Sequence, residues 1–230
     1  MVFLFFPLPH KIPIMGRRAL RKVDPSLNLS RHLLRLEDFP KPLDQAALFG
    51  RQAALEIEVG SGKGLFMQTA SGDHPERDFI GCEVAHKYAR FAAARLAVRE
   101  RENAVMIHGD ALQFFREWIG DGALAGVHVY FPDPWWKKRH RQRRVMNAEF
   151  AQDIQRVLQP GGLLHFWTDV QEYFDETLEL LAETAKLLEG PLEVVEKPAE
   201  HDLDYRTHFE RRMRLHGAPV YRSQYRRAAE

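Results

Sequence analysis

From Leu55 onward, short apolar runs alternate with segments whose apolar residues recur at helical spacing. Leu55–Val59 predicts a buried strand, followed by a glycine-rich bend and a helix from about Leu65. Phe79–Glu83 predicts a second strand, after which Tyr88, Phe91, Ala92 and Leu96 share one helical face. Ala104–His108 predicts a third strand and Ala111–Trp118 a short helix. A fourth strand falls at Val127–Phe131. A helix from Asn147 to Leu158 is stopped by Pro160-Gly161-Gly162, and Leu163–Thr168 is the fifth strand. Phe174, Leu178, Leu181, Ala185 and Leu188 line the next helix. Leu192–Glu196 is expected as a sixth strand and Val220–Tyr225 as a seventh. Strand and helix in alternation predict an α/β fold with a doubly wound, mostly parallel seven-stranded sheet covered on both faces. Residues 1–50 read as a partly irregular N-terminal arm, and 51–230 as a single domain.

Ligands of such sheets bind beyond the carboxyl ends of the strands, where the strand order reverses. Four acids fall there: Glu58 near the end of strand one, Glu83 closing strand two, Asp110 after strand three and Asp133 after strand four. Each alone reads as a helix cap or loop residue; four at equivalent positions point to a site. The bend after strand one is Glu58-Val59-Gly60-Ser61-Gly62-Lys63-Gly64. A phosphate-binding P-loop would need Ser or Thr at Gly64 and Gly at Ile57. A dinucleotide fingerprint would need its third glycine at Leu65. An acid followed by Gly-x-Gly-x-Gly, with a second acid ending the next strand, suits S-adenosylmethionine. Glu83 can accept from both ribose hydroxyls, Glu58 can engage the methionine ammonium, and Asp110 can accept from the adenine amino group.

Strand four runs into Phe131-Pro132-Asp133-Pro134-Trp135-Trp136-Lys137-Lys138-Arg139-His140-Arg141-Gln142-Arg143-Arg144. Two prolines restrain the Asp133 backbone. Two indoles and six Lys/Arg follow, a combination suited to a base carried on a phosphate backbone. Net charge is only +1, yet the charge is uneven. Residues 137–144 and 211–227 are Arg-rich, Arg17, Arg18, Arg21 and Lys22 form a third cluster, and 169–204 holds twelve Asp/Glu against Lys186 and Lys197. That asymmetry predicts a basic face toward a polyanion and an acidic face away from it.

Three motifs in order resemble the tRNA (guanine-N7)-methyltransferases, a branch of the class I S-adenosylmethionine-dependent enzymes. They are Phe131-Pro132-Asp133-Pro134-Trp135-Trp136-Lys137-Lys138-Arg139-His140, Leu158–Asp169 around Pro160-Gly161-Gly162, and Thr207-His208-Phe209-Glu210-Arg211. The resemblance runs from about Leu55 to Arg227. It implies a Rossmann-like sheet of order 3-2-1-4-5-7-6 and methyl transfer to N7 of a variable-loop guanine (position 46) in tRNA. It implies cofactor contacts at Glu58, Gly60, Gly62, Gly64, Glu83, Asp110 and Asp133, with Asp133 also the catalytic position. Substrate contacts would fall at Lys137, Asp169, Thr207, His208, Phe209 and Glu210, the last four on a substrate-binding tail. Trp136 departs from the family pattern, where Pro is common, and His208 replaces a common Lys. The rival functions are methylation of an exocyclic amino group and a non-catalytic RNA-binding module on the same fold; an NAD-dependent oxidoreductase is already weakened at Leu65.

The single cysteine, Cys82, excludes an internal disulfide, and no Cys/His spacing suggests a metal. A cytoplasmic protein, monomer or homodimer, with no membrane association, is expected. Residues 1–14 are apolar but broken by Pro7, Pro9 and Pro13, too short for a membrane span, and lack the features of a signal peptide. They read as a dispensable extension or misplaced start ahead of Met15. Trp167, His165, Phe114, Phe115 and Trp118 are expected in the core, Cys82 as a buried thiol, and the cations from Lys137 to Arg144 against phosphates.

Overall fold

The computed structural model describes residues 20–195 and 198–229; residues 1–14, Arg17, Arg18 and Lys197 lie outside them. In chain order the elements are β1 (Leu33–Arg35), α1 (Gln45–Phe49), β2 (Ala54–Val59), α2 (Leu65–Asp73), β3 (Arg77–Glu83), α3 (His86–Val98), β4 (Ala104–His108) and α4 (Ala111–Glu117). There follow β5 (Leu124–Tyr130), α5 (Ala148–Val157), β6 (Leu158–Thr168), α6 (Gln171–Thr184), β7 (Leu188–Leu192), α7 (His208–Leu215) and β8 (Tyr221–Arg227). The strands form one sheet of order β1-β4-β3-β2-β5-β6-β8-β7. All pairings are parallel except those of β8 with β6 and β7.

The expected order of seven strands is present, but an eighth strand extends it. Leu33–Arg35, in the arm read as irregular, pairs with Met106–His108 at the sheet edge. Three residues are too few to establish a period-two pattern. The sixth expected strand also shifts, from 192–196 to Leu188–Leu192. Apolar Val194 and Val195 draw a sequence reading forward, whereas the paired stretch contains Gly190-Pro191, which an edge strand tolerates. Accordingly α6 stops at Thr184, and Leu188 belongs to β7 rather than to the helix.

Alternation along the strands sorts side chains to two faces. Leu55, Ile57 and Val59 join Ile80, Val127, Val129 and Phe166 against Phe114, Phe115 and Trp118 of the α4 region, Phe150 of α5 and Tyr173 of α6. The opposite face packs Phe79, Met106, Tyr130 and Trp167 under Phe66 and Met67 of α2 and Ala92, Ala93 and Leu96 of α3. Burial of each large apolar side chain contributes about 1.5–3 kcal/mol. Cys82 is buried as expected.

That second face also holds a polar chain. Glu56 is paired with Arg77 and with His128 Nε2 at 2.7 Å; His128 Nδ1 meets the Tyr130 hydroxyl at 2.9 Å and the ring stacks on His165 at 4.7 Å. Burial works to raise the Glu56 pKa, but His128 and Arg77 outweigh it and hold the carboxyl at about 2. Burial keeps His128 neutral. An ionised Glu56 only accepts, so Nε2 carries the imidazole proton and Nδ1 accepts from the Tyr130 hydroxyl. Tyr130 is thereby fixed one residue before the Phe131–Trp135 turn.

Candidate active site

The strand order reverses between β2 and β5, and the expected acids gather beside that point. The bend after β2 is anchored by Gly60 and Ser61 N–H groups donating to the Cys82 carbonyl at 2.9 and 3.0 Å. Gly60 and Gly62 have φ of 76° and 52°, a region only glycine enters without strain; a Cβ at Gly60 would meet open space, and one at Gly62 only the Gly60 carbonyl oxygen at 4.0 Å. Gly64 serves a different end: a Cβ there would lie 2.5 Å from that of Ala92, so its absence lets α2 pack on α3. Glu83 draws β3 onto the bend, accepting from Gly62 N–H at 2.9 Å and from Ala85 N–H at 2.8 Å. Each oxygen keeps further acceptor capacity.

Glu58 is 2% exposed, and its Oε2 has no hydrogen-bond partner. Burial, with the neighbouring Glu83 adding to it and Ser61 opposing, pushes its carboxyl up to about 8. Asp110 caps α4 by accepting from Leu112 N–H at 2.9 Å. Glu58, Glu83 and Asp110 all act on the Cys82 thiol, which burial and these three carboxylates raise. Three of the four expected acids therefore lie at the same ends of three neighbouring parallel strands.

Asp133 is exposed at the end of β5, the strand beside β2. Its segment is sharply turned: Phe131 and Trp135 have φ of 51° and 47°, costly for bulky side chains by about 1–3 kcal/mol each. Phe131 N–H donates to the Trp167 carbonyl at 2.8 Å, and Arg144 Nε donates to the Pro134 carbonyl at 2.8 Å. Arg144 also pairs with Glu176 and covers the Tyr173 ring at 4.4 Å, while Arg141 pairs with Glu172 at 2.5 Å and Glu176 at 2.7 Å. Two of the six cations expected against phosphates thus clamp this loop to acidic α6. Trp135 packs against His140 and Arg143, whereas Lys137 is exposed.

The third motif packs on the turn after β5 and on α3. Thr207 caps α7, its hydroxyl accepting from Glu210 N–H at 2.9 Å. Glu210 is buried, accepts from Arg206 N–H at 2.7 Å and pairs with Arg214 and Arg222. Its carboxylate holds α7 in place. Phe209 meets Phe131 at 5.0 Å and lies under Arg212 at 4.6 Å. Asp169, just past β6, is raised by burial, opposed by a hydrogen bond from its own backbone and then by the Arg212 charge. His208 Nε2 accepts from Arg95 at 2.7 Å; partial burial, then the Arg95 and Lys63 charges, push its imidazole down to about 4. Arg95 also donates to the Lys63 carbonyl at 3.3 Å and to Gln68 at 2.8 Å. It ties α7 to the glycine bend, a role the sequence reading missed; the one available signal was a lone charge in the run Ala92-Ala93-Ala94-Arg95-Leu96.

A family model described as "Putative methyltransferase" matches residues 52–223. A protein of Rhodopirellula baltica named tRNA (guanine-N(7)-)-methyltransferase is 53% identical over 224 residues, spanning 95% of this chain and 83% of that protein. The chain belongs to the tRNA (guanine-N7)-methyltransferase family. Another relative of that name, from Paracidovorax citrulli, is 36% identical over 196 residues, covering 84% of this chain and 77% of its own. Among solved structures, the 16S rRNA methyltransferase KamB aligns with a TM-score of 0.59 at 15% identity over 83% of this chain and 96% of that one, a likeness of fold. The cofactor of this family is S-adenosylmethionine, and the residues fit it: an open glycine bend, a carboxylate with acceptor capacity beside it, and a buried acceptor, Glu58 Oε2, with no partner of its own. Among the described residues, no helix is long and apolar enough to cross a membrane.

Proposed function

We propose that this protein transfers the methyl group of S-adenosylmethionine to N7 of a variable-loop guanine, position 46, in tRNA. The observation that carries this is the joining of the cofactor end to the base end: Arg95 links the glycine bend to His208, and Phe209 packs on the Phe131–Asp133 turn. The cofactor supplies an electrophilic methyl carbon on a sulfonium. Glu58 holds the methionine ammonium, Glu83 the ribose hydroxyls, Asp110 the adenine amino group, and the Gly60–Gly64 bend gives the backbone close approach.

Guanine N7 carries an in-plane lone pair and no proton, so the attacking atom needs no general base. This chain contributes alignment and electrostatic support for the cationic ring that forms. Asp133 and Asp169 orient the guanine by accepting from its N1–H and amino group, and their charge offsets that of the product. Thr207, His208, Phe209 and Glu210 present the closing edge over the base, Glu210 by anchoring it. Lys137 meets tRNA phosphate. The protein acts in the cytoplasm as a monomer or homodimer.

Incubation of bulk tRNA with labelled cofactor, then nucleoside analysis and aniline scission, tests the proposal. Label in 7-methylguanosine and a cut in the variable loop are expected. Label in an exocyclic N-methyl nucleoside would assign the other methyltransferase class. Absence of cofactor binding by calorimetry would leave a non-catalytic RNA-binding module.

A further inference from the structure

The two adjacent indoles after Asp133 have different surroundings. Trp135 is half-buried, with Arg143 over its ring at 5.1 Å and His140 edge-on at 5.9 Å. Trp136 is 66% exposed, and no aromatic or cation–π contact involves its ring among the described residues. The other two tryptophans, Trp118 and Trp167, are buried. The left-handed turn at Trp135 separates the two rings and leaves one large apolar face in water. Three exposed cations, Lys137, Lys138 and Arg139, follow it directly, whereas Arg141 and Arg144 of the same run are committed to α6. An exposed indole followed by exposed cations is the arrangement that binds single-stranded nucleic acid: the ring stacks on a base and the cations take the adjoining phosphates.

We infer that Trp136 is a stacking platform for the unpaired tRNA base adjacent to the target guanine. The inference rests on the tRNA reading above and adds a specificity contact to it. Three residues span at most about 11 Å, which keeps Trp136 within one neighbouring nucleotide of a base held at Asp133. A guanine offered edge-on to a methyl group in a closed site must leave its stack. Its departure exposes the face of a neighbouring base, and the Trp136 ring replaces the lost partner. The target base itself belongs to the Asp133 and Asp169 carboxylates, beside the Phe131 and Phe209 rings that pack on each other.

The test compares wild type, Trp136→Ala and Trp136→Phe on full-length tRNA, and on the same tRNA with an abasic nucleotide beside the target guanine. Trp136→Ala should raise the tRNA KM roughly five- to 150-fold, with cofactor Kd by calorimetry unchanged. Trp136→Phe should recover most of the loss, and on the abasic tRNA the Ala variant and wild type should have equal KM. An unchanged KM for Trp136→Ala overturns the inference, as does a loss that persists in full on the abasic tRNA. A weakened cofactor Kd overturns it by making the indole a wall of the cofactor pocket. An altered sedimentation coefficient with unmoved KM overturns it in favour of contact with a second copy. Wild-type methylation of intact tRNA separates failure of this inference from failure of the functional assignment.

Discussion

Glu58 provides the sharpest energetic test. Burial raises its carboxyl from the ordinary 4.5 to about 8. Each tenfold change in proton affinity corresponds to about 1.4 kcal/mol, so fully ionising Glu58 in the cofactor-free protein opposes folding by about 5 kcal/mol. The folded state holds this proton more tightly than the unfolded chain does. Its contribution to stability is therefore fully favourable below 4.5, falls as pH rises from 4.5 to 8, and levels off above. Between pH 5.5 and 7.5 the wild type should lose roughly 2–3 kcal/mol relative to Glu58→Gln, which cannot titrate. With a urea m-value near 3 kcal/mol/M, that is a relative midpoint shift of roughly 1 M. Urea titrations of both proteins across this range measure it, and the comparison cancels every other titrating group. Saturating cofactor should reverse the ranking, because an ammonium ligand stabilises the ionised carboxylate of the wild type and not the amide. Parallel wild-type and Glu58→Gln profiles without cofactor would refute the burial argument. Equal stabilisation of both by cofactor would refute the ammonium assignment.

Asp133→Ala should lower kcat roughly hundred-fold with little change in tRNA Kd; equal losses in both would contradict its role at the reacting base. Burial raises Asp169, so the acid limb of the pH–rate profile should lie above the range of an ordinary aspartate, activity being lost as pH falls through it, and Asp169→Asn should remove that limb. Tyr130→Phe leaves buried His128 Nδ1 without a donor and should cost about 1–3 kcal/mol in thermal or urea unfolding. Arg144→Ala should destabilise by about 1.5–3 kcal/mol with the salt dependence of tRNA binding unchanged, whereas Lys137→Ala should lower the slope of log K against log salt by roughly 0.7 without loss of stability.

The sheet and its acids were legible because both depend on local pattern. Buried parallel strands are continuous apolar runs, and an acid at the end of such a run has one direction in which to face. Glu58 and Glu83 stood out in the sequence because they flank a bend whose glycines at 60 and 62 take positive φ. What stayed hidden was long-range pairing. The run from Lys137 to Arg144 reads identically whether its charges meet phosphate or carboxylates some thirty residues later, and Glu172 and Glu176 decide that Arg141 and Arg144 are internal. Glu210 shares that ambiguity: the Thr207–Glu210 spacing signals a helix cap, which it is, but Arg214 and Arg222 turn the carboxylate into an anchor. Arg95 could not be read as a link between α3 and α7 without knowing that α7 returns over the glycine bend.

These pairings explain how a chain of net charge +1 presents a nucleic-acid surface. The acidic stretch is not only a face turned from the polyanion. Glu172 and Glu176 pair with Arg141 and Arg144 of the basic segment and hold the strained turn around Asp133 in place. The cations left outside, Lys137, Lys138 and Arg139, sit beside the site instead of spreading over the surface. Adding positive charge to α6, for example by Glu176→Lys, should therefore weaken methyl transfer although it makes the protein more basic. The substitution releases Arg144 and loosens the turn that aims Asp133. If non-specific attraction dominated, the same substitution would tighten tRNA binding and leave kcat unchanged.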